Sequence, residues 1–92
     1  MDPHKFDFMF ANKNIGDEIG GVLIHTVIKY VQNVRKYTIY IGMGLDMREN
    51  IEKDMWYLYL YQKDFGLKAY KQKAPIASYE EALEIALKQM QK

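Results

Sequence analysis

Cysteine is absent from this 92-residue chain. That removes disulfides, thiolate metal sites and cysteine nucleophiles together, and it suits a reducing, cytoplasmic setting. Serine occurs once, as Ser78, so a Ser–His–acid triad would have to draw His4 or His25 to that single position. The two histidines show no HxH or HxxxH spacing, and a zinc site would need carboxylates recruited from separate elements. Gly20-Gly21 and Gly42-x-Gly44 are too sparse for a P-loop or a dinucleotide fingerprint. Charge of one sign is also lacking: 13 basic against 12 acidic residues leave a net +1, too little for a bulk field that gathers nucleic acid or membrane. No apolar run approaches the roughly 18 residues of a membrane span. The first ten residues carry Asp2, Lys5 and Asp7 among their apolar ones, unlike a signal peptide. No catalytic residue, metal or cofactor is therefore expected, and the chain reads as not an enzyme. Asp46, Glu49, Glu52 and Asp54 lack calcium-loop spacing and read as a solvated acidic loop.

What the chain does hold is apolar and aromatic. Hydrophobic residues make up 49% and aromatics 14%, enough to argue against disorder and for one small folded domain. Its most informative stretch is Met55-Trp56-Tyr57-Leu58-Tyr59-Leu60-Tyr61. Large residues alternating with period two mark a β-strand, with Trp56, Leu58 and Leu60 on a core row and Tyr57, Tyr59 and Tyr61 on the other. Tyr37–Met43 reads as a second strand, with Tyr37, Ile39, Ile41 and Met43 opposite Thr38 and Tyr40. A tight turn at Lys63-Asp64-Phe65-Gly66 leads into a return strand, Leu67–Lys73.

Residues 15–35 carry two conflicting signals. Val22, Ile24, Thr26, Val27, Ile28 and Val31 are β-branched and favour strand. At about 100° per residue, however, Ile15, Ile19, Val22, Leu23, Val27, Tyr30, Val31 and Val34 form one arc. Asn14 and Asp17 are spaced like a capping box, while Gly16, Gly20 and Gly21 count against a helix and Ile28 intrudes on its polar arc. Giving the period precedence predicts a helix, with His25 on its solvated face. A second helix follows Pro75: Ser78 is its N-cap with Glu81 three residues on, and Tyr79, Ala82, Leu83, Ala86, Leu87 and Met90 form its apolar stripe. The expected fold is α+β, a two-layer sandwich of helix, three-stranded antiparallel meander and helix, both helices on one sheet face. Residues 1–14, with Phe6, Phe8 and Phe10, read as an arm or short edge strand ahead of a domain spanning 15–92.

That element order resembles the topology of double-stranded-RNA-binding domains over roughly residues 15–91. Those domains set lysines at the start of the last helix to meet phosphates. Here that turn reads Ser78-Tyr79-Glu80-Glu81, so no binding residues carry over.

With both helices on one layer, the other sheet face is expected to lie open. Pairing Gln62 with Leu67 would set Tyr61 opposite Lys68 and Tyr59 opposite Tyr70. Tyr40, Tyr57, Tyr59, Tyr61, Lys68 and Tyr70 then form the expected interaction face. The leading functional expectation is a non-enzymatic protein-interaction module, a homodimer or a docking or inhibitor-type accessory protein of the kind phages and mobile elements carry. The alternative is single-stranded nucleic-acid binding, tyrosines stacking bases while lysines meet phosphates.

Overall fold

The computed structural model describes residues 13–46, 51–62, 66–69 and 75–91. Strands β1 (Glu18–Ile19), β2 (Val22–Gln32), β3 (Arg35–Gly44), β4 (Trp56–Gln62) and β5 (Gly66–Ala69) form one antiparallel sheet in sequence order. The sheet curls as half a barrel, and helix α1 (Tyr79–Met90) is the one helix among the described residues. The expected first helix is therefore wrong, and the fold is mostly β. The two-layer arrangement with two helices falls with it, as does the topological resemblance to double-stranded-RNA-binding domains.

Residues 15–35 are a strand pair because their turns are β-turns. Gly20 and Gly21, at φ +54° and +88°, make the two-residue connection that sets Ile19 opposite Val22. Asn33 and Val34, at φ +50° and +63°, make a second one, with Gln32 opposite Arg35. The bond of a capping box does form, Asn14 N–H donating to the Asp17 carboxylate at 2.7 Å. Gly16 at φ +95° then turns the chain away from a helical path. The helical arc arose from a β-bulge. Ile24 stands opposite Gly42 and Thr26 opposite Ile41, so His25 is an extra residue and the inward phase slips by one. Val22, Ile24, Val27 and Val31 share a face across that slip, at a spacing that mimics a helix period.

The sheet has a core on each face. Ile39, Ile41 and Leu58 meet Ala82 and Ala86 of α1 and also Ile76, with Trp56, Leu60, Tyr79, Leu83 and Ile85 packed around them. Ser78 caps α1, accepting from Glu81 N–H at 3.2 Å. The stripe is as expected except at Leu87, which is 43% exposed. A bridge from Trp56 to Ile76 (Trp56 N–H to Ile76 C=O, 2.8 Å) delivers the chain to the helix. On the opposite face Ile19, Ile24, Tyr40 and Tyr61 form the second core, with Val27 and Tyr59 against it. Val22, Val27 and Val31 share that second face, away from α1.

Candidate functional site

Register places the tyrosines as a row. Tyr40 stands opposite Tyr59, Gly42 opposite Tyr57 and Thr38 opposite Tyr61, all on the face away from α1. That face is not open at its centre: Tyr40 is 1% exposed and Tyr61 7%. Tyr57 accepts a hydrogen bond from Glu52 N–H at 2.6 Å, tying strand β4 to the preceding loop. Burial first, and then proximity to Tyr61, raises the Tyr40 phenol above its ordinary pKa. Burial and Tyr57 do the same for Tyr59, and burial and Tyr37 for Tyr30. These hydroxyls stay protonated at neutral pH.

Strand β5 pairs one residue out of the expected register. Gln62 stands opposite Gly66, Tyr61 opposite Leu67, Leu60 opposite Lys68 and Tyr59 opposite Ala69. The register partner of Lys68 is thus Leu60 and not the expected Tyr61. Tyr70, the Phe6/Phe8/Phe10 arm and Glu49 lie outside the described residues.

His25, on the bulge, packs its ring against Tyr79 (centroids 4.8 Å apart) and Trp56 (5.3 Å), which are themselves 5.0 Å apart. Its Nδ1 lies 2.8 Å from Thr26 Oγ1, which lies 2.8 Å from the Tyr79 hydroxyl. A histidine beside a hydroxyl is the spacing of an activated nucleophile. Here the three rings fill one another's space, and none of the described cavities is lined by these residues. The group clasps the bulge, the start of β4 and the start of α1 together. Among the described residues no cluster of three histidines or carboxylates could hold a metal, and no helix is long and apolar enough to cross a membrane.

The exposed part of the tyrosine face is its hairpin end. There Lys29, Val31, Lys36, Thr38 and Tyr61 line a groove of about 400 Å³. A shallower concavity of about 550 Å³, lined by Asn14, Ile15, Val27 and Lys29, adjoins it through Lys29. Val31 is 64% exposed, and Val34 at the tip is 95% exposed with φ +63°. A β-branched residue in the left-handed region is a strained choice where glycine would be relaxed. Charge concentrates here too. No acidic residue occurs between Glu18 and Asp46, a stretch that holds Lys29, Arg35 and Lys36. Tyr30 and Tyr37 also line the groove, and their rings stack on each other, 5.1 Å apart and 16° from parallel. Sequence reasoning missed Lys29, Val31, Val34 and Lys36 because it set them on a helix; the acid-free stretch was the signal that marks them. Comparison with protein-family models, curated proteins and solved structures finds no match to this chain.

Proposed function

We propose that this protein is a small non-enzymatic interaction module that binds another polypeptide through the hairpin end of its sheet. The observation behind this reading is the groove lined by Val31, where exposed apolar surface sits between two exposed lysines, with the exposed Val34 three residues on in the turn. Exposed apolar side chains rimmed by polar ones are what binding surfaces present. A cytoplasmic setting is part of the proposal. The basic hairpin also suits single-stranded nucleic acid. Against that, two tyrosines of the row are buried and the Tyr30–Tyr37 pair is stacked on itself, so few rings remain for bases.

The test is selection of a displayed random-peptide library on the intact protein and on a Val31→Glu, Val34→Gly variant of matching thermal stability. Peptides enriched on the first and not on the second support the module. No enrichment, together with single-stranded DNA binding that weakens steeply with salt, would replace it with the nucleic-acid reading.

A further inference from the structure

The groove runs beside a strand edge that is unfilled among the described residues. β2 pairs with β1 only at Val22 and Leu23, and Gly16 N–H and Asp17 C=O bond to Ile24. From Thr26 to Gln32 its inner side is paired with β3, while among the described residues no strand pairs with its outer side. A row of unpaired peptide groups is a template for one more strand. Val27, Lys29 and Val31 stand along this edge on the face that carries both concavities.

Resting on the interaction-module reading, we propose that the outer edge of β2 takes up an extended acidic segment of a partner protein as an added strand. The pattern it favours is apolar–x–acid–x–apolar. Side chains opposite each other on one face of a sheet touch. An added strand therefore sets one acidic residue against Lys29 and within the reach of Lys36, with apolar residues against Val27 and Val31. The acid-free stretch from Ile19 to Leu45 leaves those lysines no acidic neighbour of their own in sequence. A second copy is a poor occupant, because antiparallel pairing of two such edges brings lysines toward lysines. Lysine in the middle of an edge is a usual guard against indiscriminate pairing. The same charge that repels a copy attracts an acidic strand.

Nuclear magnetic resonance titration with defined peptides tests this. One probe carries the core Val-Thr-Glu-Thr-Val, a second replaces glutamate with lysine, and a third is the glutamate peptide N-methylated at alternate amides. The glutamate probe should bind the intact protein and slow hydrogen exchange at alternate amides between Thr26 and Gln32. Lys29→Glu, at an exposed position, should weaken that binding about tenfold and shift preference to the lysine probe, as reversal of a cross-strand charge pair does. N-methylation should abolish binding, since it removes the ladder donors. Equal binding of glutamate and lysine probes, or of the N-methylated peptide, overturns the inference. So does protection that falls outside β2. If library peptides bind the hairpin end while the glutamate probe does not, the acidic-strand inference fails and the module stands. If the library yields nothing, both fail.

Discussion

The two ends of the β2–β3 ribbon differ more than any other two regions of this molecule. At its root, Val22, Ile24, Ile41 and Tyr40 are buried, so cores lie on both faces of the same two strands. At its tip, Val31 and Val34 stand in solvent, the turn adopts a left-handed backbone at a valine, and three basic residues fall in a stretch of sequence that holds no acid. The root has what a fold needs and the tip what a fold avoids. Features that reduce stability without a structural return are where function is to be sought.

The sharpest way to break this comparison is to truncate one residue at each end. Ile41, with no exposed surface, faces Leu58 across β4 and packs under α1. Ile41→Ala should lower the unfolding free energy by about 2–5 kcal/mol. Val31→Ala should change it by no more than about 0.5 kcal/mol. Chemical denaturation of both variants measures the difference, and equal losses would mean the tip is as much core as the root.

A second root position acts through space rather than volume lost. A Cβ on Gly42 would lie 2.5 Å from the Leu23 carbonyl oxygen and 2.5 Å from Val22 Cγ1. Backbone at that distance has to move. Gly42→Ala should therefore destabilise by about 1–3 kcal/mol, as overpacking does. A melting temperature unchanged by this substitution would show that β2 and β3 are less closely seated at the root than described.

How far the sequence reveals this molecule follows the same division. Strand β4 and helix α1 are plain to read, because each buries an uninterrupted pattern: Trp56, Leu58 and Leu60 at period two, and the Ala82–Ala86 stripe behind a Ser78 cap. The β2–β3 hairpin hides for two physical reasons. The bulge at His25 breaks the period-two phase, and the Asn33-Val34 turn carries valine where glycine would announce it. Gly20-Gly21 did announce a turn, yet as helix residues they read only as a penalty. For the candidate site, the tyrosine row was legible as a row. Its burial was not, since a curled sheet covers side chains that a flat one exposes. The β4–β5 register differs from the expected one by a single residue, Gln62 standing opposite Gly66 and not Leu67, a shift that period-two alternation does not reveal.

Ser78 tests whether the helix belongs to the root. Its hydroxyl accepts from Glu81 N–H, and α1 covers Ile41 and Leu58. Ser78→Ala should remove about 0.5–2 kcal/mol of stability, while Ser78→Asp should be nearly neutral. Both should leave peptide selection at the hairpin end unaltered. If Ser78→Ala abolishes binding while the protein stays folded, the two ends are coupled and cannot be assigned separate roles.

The smallest expected effect bears most directly on why the tip is built as it is. Val34 holds φ +63° while 95% exposed, so its side chain gains almost nothing from packing. The left-handed backbone costs a side-chain-bearing residue about 1–2 kcal/mol. Glycine removes that strain but brings about 0.5–1 kcal/mol of extra freedom in the unfolded chain. Val34→Gly should therefore raise stability slightly, by about 0.5 kcal/mol, measurable as a small upward shift of the denaturation midpoint. In the same variant, peptides selected on the intact protein should bind more weakly, because an exposed apolar side chain is lost from the hairpin tip. A gain in stability paired with a loss of binding is the signature of a residue kept for recognition. If Val34→Gly instead lowers stability, valine serves the fold at the tip as Ile41 does at the root, and the contrast between the two ends disappears.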